Sequence, residues 1–248
     1  MSEHIIGQQF ALLVVFVAVF LIGVTAFAAG DNTNEPGIPL MDQQETVNLS
    51  TATFALGCFW GGDARYGAVE GVVRTRVGYA GGDKENPTYH NLGNHTESIQ
   101  VDFNPEIVSY EELVDIFWRS HNPNSKAHSS QYANILFYHS DHQREVAERT
   151  KREVVESSNE KVYTELRRIN AFYPAEAYHQ KYRLRRSSRF IDILKEIYPD
   201  NEDLRDSTAA AKLNGFLAGH GTANQIKNLA GKLGLTEQAR AELLARFG

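Results

Sequence analysis

Residues 51–82 read TATFALGCFWGGDARYGAVEGVVRTRVGYAGG, and this stretch decides the fold. Positions 51–56 are apolar and β-prone. Positions 59–69 have helical character and are ended by Gly71, and 72–79 are β-prone again before Gly81-Gly82. Strand, helix and strand within about thirty residues open an α/β layer. Cys58 falls at the junction of the first strand and the helix. Gly57 lets the chain turn sharply there, and a helix start offers free N–H groups and a partial positive charge. A thiol in that setting is expected to have a lowered pKa and a populated thiolate. A lone cysteine is more often a small buried apolar residue, but flanking Gly57 and Gly61, with Phe59 and Trp60 between, argue for reactivity.

Working outward, 97–103 (ESIQVDF) alternates like a half-buried strand, and 110–121 places Leu113, Val114, Phe117 and Trp118 at helical spacing. Residues 135–138 predict a short strand, and Ser140 or Asp141 can cap a charged helix through Ser158. A further strand is expected within 162–169. The interleaving predicts an α/β (α+β) sandwich, one mixed sheet flanked by helices. Residues 83–94 form a turn-rich loop. From about Asp206 the chain reads as helices at 209–217, 223–233 and 237–247, the last with Thr236 as N-cap. The expected organisation is a signal-anchor or signal peptide at 1–30, a polar tether at 31–50, a catalytic domain at 51–200 and a helical C-terminal extension at 201–248.

The 248 residues carry Lys+Arg 25 against Asp+Glu 31, a net charge of −6, with 42% hydrophobic residues. That is a globular composition, and it offers no overall basic field for nucleic acid. With one cysteine the chain can form no internal disulfide and no multi-cysteine zinc site. Residues 10–29 are uncharged and long enough, at about 1.5 Å per residue, to span a bilayer. A retained anchor and a cleaved signal peptide both fit, the latter through Ala26-Phe27-Ala28. Either places the rest of the chain on a single-pass membrane or in the secretory pathway.

The run Gly57-Cys58-Phe59-Trp60-Gly61 resembles the signature of the A-type peptide methionine sulfoxide reductases. Further segments follow in that family's order: Val77-Gly78-Tyr79-Ala80-Gly81-Gly82, Asn86-Pro87-Thr88-Tyr89, His95-Thr96-Glu97, Phe117-Trp118-Arg119-Ser120-His121-Asn122-Pro123, Ser130-Gln131-Tyr132, and Phe172–Glu176 with Tyr178–Tyr182. The resemblance spans about 51–185. It implies reduction of the S epimer of methionine sulfoxide, free or in proteins, and hence repair of oxidised proteins. Cys58 then corresponds to the nucleophile, Glu97 to the acid that protonates the sulfoxide oxygen, and Tyr89 and Tyr132 to the hydroxyls that hold that oxygen. Phe59 and Trp60 correspond to the apolar wall around the S-methyl group. Cys58 would be left as a sulfenic acid.

Two departures stand out. Many relatives carry an acid five positions before the residue matching Tyr132, where this chain has Ala127, with His128 beside it. Many also carry resolving cysteines in the tail, and this chain has none. No cofactor is expected to be bound. An external thiol, thioredoxin or glutathione with glutaredoxin, must recycle Cys58. Expected partners are therefore oxidised-methionine proteins and peptides, a thioredoxin-like reductant, and the membrane if 10–29 is retained; a monomer is expected. From the residues alone, a cysteine hydrolase or acyl transferase using His95, His121 or His179 as base, and a non-catalytic binder of oxidised methionine, are the alternatives. The histidines show no metal-ligand spacing, and the basic cluster Lys181, Arg183, Arg185, Arg186 and Arg189 reads as a solvated stretch. Sequons occur at Asn48 and Asn94.

Overall fold

Central strand β1 (Ser50–Leu56) ends at Gly57, whose φ of 83° is open to glycine at no steric cost. That left-handed turn delivers Cys58 as N-cap of α1 (Phe59–Gly67). The computed structural model describes residues 36–44 and 48–248. The apolar stretch 10–29 lies outside them; among the described residues no helix is long and apolar enough to cross a membrane. After α1 come β2 (Val72–Ala80) and β3 (Thr96–Phe103), then α2 (Tyr110–Arg119), which opens on a Ser109–Glu112 capping box. Next are β4 (Asn134–Tyr138) and α3 (Asp141–Ser158), with the Ser140 hydroxyl accepting from the Gln143 N–H. Two short strands, β5 (Glu165–Arg168) and β6 (Phe172–Pro174), complete the sheet.

The sheet order is β5-β4-β1-β3-β2-β6. Only the β4–β5 pair is parallel; the other four are antiparallel, so the expected mixed sheet with flanking helices is present. β1 is nearly continuous in burial because both its faces are covered. On one face Phe54 stacks on Tyr66 of α1 at 4.7 Å and on Phe117 of α2 at 5.7 Å. On the other, Ala55, Ala80, Ile135 and Phe137 form a smaller cluster. β6 has no counterpart in the sequence reading: a three-residue strand holding a proline gives no periodicity to detect.

The chain then runs through α4 (Tyr182–Arg185), α5 (Ser188–Ile197), α6 (Asn201–Asp206), α7 (Thr208–Leu217), α8 (Ala223–Leu229) and α9 (Glu237–Phe247). Thr236 caps α9, accepting from the Ala239 N–H as its hydroxyl spacing suggests. These helices share an apolar cluster that includes Leu184, Phe190, Leu213, Phe216 and Leu243. The tail is tied directly to the helix that carries the cysteine. α7 crosses α1 with Gly215 against the Ala64 carbonyl and Gly67 against that of Ala211, and a methyl at either glycine would collide with backbone. Beside this crossing Asn214 bridges Asp63 of α1 (3.1 Å) and the Leu184 N–H (3.1 Å).

Candidate active site

Three elements meet at Cys58. β1 and its glycine turn bring the sulfur to the head of α1, where it is solvent-exposed. β3, two strand positions away in sheet order from β4, brings Glu97 beneath it. A 3-10 turn at Ser130–Tyr132 closes over that point, anchored by the Thr96 hydroxyl donating to the Ser130 carbonyl at 2.8 Å.

Glu97 is almost fully buried, at 1% exposure. One carboxyl oxygen accepts from the Phe59 N–H at 3.0 Å, the residue after Cys58, and the other accepts from the Gln131 amide at 2.8 Å. Both donors are neutral. Burial raises the Glu97 pKa, and the Gln131 and Phe59 hydrogen bonds only partly oppose it. The Gln131 amide also lies 3.3 Å from the Tyr132 hydroxyl. Desolvation, a hydrogen bond with Tyr89 and the charge of Glu97 push the Tyr132 hydroxyl up to about 12. It is a proton-bearing donor across the ordinary pH range. Cys58, Glu97, Tyr89 and Tyr132 therefore converge on one point.

The Cys58 thiol does not behave as its helix-start position predicts. Desolvation raises its pKa. The Trp60 and Gly61 N–H groups and the charge of Arg183 work in the opposite direction, but Glu97 adds to the rise. A short helix start is outweighed by an apolar wall and a neighbouring carboxylate.

That wall is built from aromatic rings. Phe59 is buried and lies 5.1 Å from the His179 ring; Tyr89 lies 4.6 Å from the same ring. Trp60 lies flat on Tyr182, with centroids at 3.7 Å and planes within 3°. The Trp60 indole N–H donates to His179 Nδ1 at 3.3 Å, which places the imidazole proton on Nε2; that atom is buried without a partner. Burial lowers the His179 pKa. Tyr89 is set by Glu176, which accepts from the Tyr89 N–H at 3.0 Å and from the Tyr79 hydroxyl at 2.7 Å. Sequence reasoning assigned no role to Gln131, Glu176 or Tyr182, and took His179 only as a candidate base of the hydrolase alternative. All four lie inside the quoted Ser130-Gln131-Tyr132, Phe172–Glu176 and Tyr178–Tyr182 segments, so the motifs held the signal without the contacts.

His95 and His121 do not face the thiol: His95 bonds the Gly82 N–H and the Lys84 carbonyl, and His121 bonds the Phe117 carbonyl and the Thr164 hydroxyl. His179 is engaged by Trp60. The nucleophile–base pair that a cysteine hydrolase needs is missing among the described residues. At the departure point Ala127 is half-buried, His128 is exposed, and Gln131 is the side-chain donor to Glu97. No cluster of three or more His, Cys, Asp or Glu side chains suited to a metal occurs among the described residues.

A family model described as peptide methionine sulfoxide reductase matches residues 50–210, from β1 into α7. The chain belongs to this family. A peptide methionine sulfoxide reductase from Drosophila melanogaster is 43% identical over 196 residues, covering 78% of each chain. The peptide methionine sulfoxide reductase A5 of Oryza sativa subsp. japonica is 36% identical over 215 residues, covering 83% of this chain and 84% of the relative. Among solved structures, reduced Mxr1 from Saccharomyces cerevisiae has a TM-score of 0.52 at 31% identity, covering 58% of this chain and 89% of that one. Methionine sulfoxide reductase A of Corynebacterium diphtheriae also has a TM-score of 0.52, at 26% identity, covering 62% and 82%. The chain is thus an A-type reductase, a thiol-dependent oxidoreductase that reduces methionine sulfoxide.

Proposed function

We propose that the chain reduces the S epimer of methionine sulfoxide in oxidised proteins and peptides, with Cys58 as nucleophile and Glu97 as proton donor. The observation that carries the reading is a buried carboxyl with no cation beside it among the described residues, hydrogen-bonded to the backbone of the residue after the thiol. A carboxyl so placed keeps its proton to a higher pH than an exposed one, as a general acid must. Glu97 gives that proton to the sulfoxide oxygen, which makes the sulfoxide sulfur electrophilic. The protonation of Glu97 also bears on the thiol: burial is what chiefly raises the Cys58 pKa, and with Glu97 neutral the negative charge that adds to that rise is gone.

The Tyr89 and Tyr132 hydroxyls hold the oxygen as charge shifts onto it. Phe59 and Trp60 receive the methyl group. The net step moves one oxygen between sulfurs: sulfoxide and thiol become thioether and Cys58 sulfenic acid. An external thiol of the thioredoxin type, or glutathione with glutaredoxin, then restores Cys58, since the chain has no second cysteine. Residues 10–29 support a membrane or secretory address. Against use of the Asn94 sequon, both ends of that amide are engaged by Asp83, at 2.9 and 3.0 Å.

The test is a single turnover of the full chain with excess sulfoxide peptide and no reductant. About one methionine released per chain, with one sulfenic acid trapped by dimedone, is the expected result. Two or more per chain would contradict the one-thiol scheme, and release by Cys58→Ser would contradict the nucleophile.

A further inference from the structure

The exposed face of α1 is a bare shelf that leads away from the nucleophile. Cys58, Gly61 and Arg65 follow one another at spacings of three and four, so they line one side of the helix, and all three are exposed. Gly61 keeps the middle of this line open: a Cβ built there meets no atom within 4 Å. From Cys58 to Arg65 the helix rises about 10 Å, close to the reach of an extended tripeptide, roughly 10 Å.

Cations gather along this shelf. Arg183 is exposed on α4 next to Tyr182, whose ring lies on Trp60, and its charge is felt at Cys58. Arg65 stands at the far end, where a cavity of about 400 Å³ is lined by Arg65, Glu70, His220 and Gln225 among others. Arg65 and His220 share the lining of that cavity; burial lowers the His220 pKa, and the charges of Arg65 and Arg183 add to the lowering. Neither arginine makes an ion pair or hydrogen bond among the described residues. Arg119, Arg144 and Arg149, on helices α2 and α3, are each held by a carboxylate. In a chain of net charge −6, the two ends of this shelf thus carry guanidinium groups that are free to meet the carboxylates of a ligand.

We propose that this shelf is the docking surface for the thiol that regenerates Cys58, and that it selects a small anionic thiol whose carboxylates lie toward Arg183 and Arg65. The inference rests on the reductase reading above. The thiol R–SH condenses with Cys58–SOH, forming the mixed disulfide Cys58–S–S–R and releasing one water. A second R–S⁻ attacks the R sulfur of that bond, giving R–S–S–R and leaving Cys58 as thiolate. The two thiols supply the two electrons that the sulfoxide took.

The test measures, on the full chain, the rate at which preformed Cys58 sulfenic acid is reduced by three probes. These are glutathione (net negative), dithiothreitol (uncharged) and cysteamine (positive). In Arg65→Glu/Arg183→Glu, glutathione is expected to act about tenfold more slowly or worse. Dithiothreitol should stay within about twofold, and cysteamine should gain. The neutral variant Arg65→Gln/Arg183→Gln should fall between, and about 1 M salt should erase the differences. Equal slowing with all three thiols, or an unchanged glutathione rate, would overturn the proposal while leaving the reductase reading intact. So would regeneration by thioredoxin alone, with glutathione inactive on the unaltered chain. No methionine release even with dithiothreitol would overturn both.

Discussion

Two carboxylates are buried in this molecule within one short helix of each other, and they are treated in opposite ways. Asp63, at 0% exposure in the middle of α1, accepts from the Thr75 hydroxyl, the Lys181 N–H and the Asn214 amide, and the Lys181 ammonium lies 3.6 Å away. Glu97, at 1% exposure, has only an N–H and an amide among the described residues. Lys181, itself fully buried, in turn donates to the Thr75 carbonyl. The Asp63 region is a closed ionic seam in which every partner is fixed. The Glu97 region offers hydrogen bonds without a compensating charge, so its acid can hold a proton. A buried carboxylate with a cation belongs to the architecture; one without a cation is available for chemistry.

The largest effect on this contrast comes from Glu97→Gln. Turnover should fall about 10²-fold or more, because the amide keeps the shape and cannot give up a proton at useful cost. The midpoint of thermal unfolding should barely move. Unchanged turnover in steady-state assays would move the proton donor elsewhere.

Asp63→Asn should do the reverse. It removes the main counter-charge of the buried Lys181 ammonium and should lower stability by about 3–5 kcal/mol in denaturant titrations. The folded fraction, assayed at low temperature, should turn over at close to the normal rate. A selective loss of turnover with normal stability would erase the distinction between the two acids.

Gly215→Ala probes the seam at the α1–α7 crossing. Its new methyl meets the Ala64 carbonyl at 2.6 Å and the Ala68 N at 2.7 Å. A cost of about 1–3 kcal/mol is expected from overpacking, read by the same titration. No cost would mean that the tail packs more loosely on α1 than the crossing implies.

The smallest effect is the most specific. In Glu97→Gln the negative charge that helps to raise the Cys58 pKa is absent. The thiolate therefore forms at lower pH, and the midpoint of the iodoacetamide alkylation profile should shift downward even though turnover has collapsed. An unshifted or upward midpoint would show that the two groups are not electrostatically coupled.

Much of the active side was legible before any coordinates. The strand, glycine turn and helix of 51–67 follow from apolar runs punctuated by Gly57 and Gly71, and they place Cys58, Phe59 and Trp60; Glu97, Tyr132 and Tyr89 come to that junction from other segments. The seam was not legible, and the reason is physical. Asp63 sits in a polar-looking Gly-Gly-Asp-Ala-Arg run, and Lys181 in a basic cluster that reads as a solvated stretch. Each is a charged residue whose partner lies more than a hundred positions away, at a separation where no period or spacing links them. The solvated reading holds for exposed Arg183, Arg186 and Arg189 and fails for Lys181. The Cys58 pKa went the other way for a related reason: helix position is visible in sequence, while the burial of the thiol and the charge of Glu97 brought up from another strand are not.

The measurement that bears most directly on the central claim offers the full chain, with dithiothreitol, the S and R epimers of one methionine sulfoxide peptide in separate reactions. Methionine from the S epimer alone is the predicted result. Equal release from both epimers, or none from either while the Cys58 thiol titrates as free, would contradict the account.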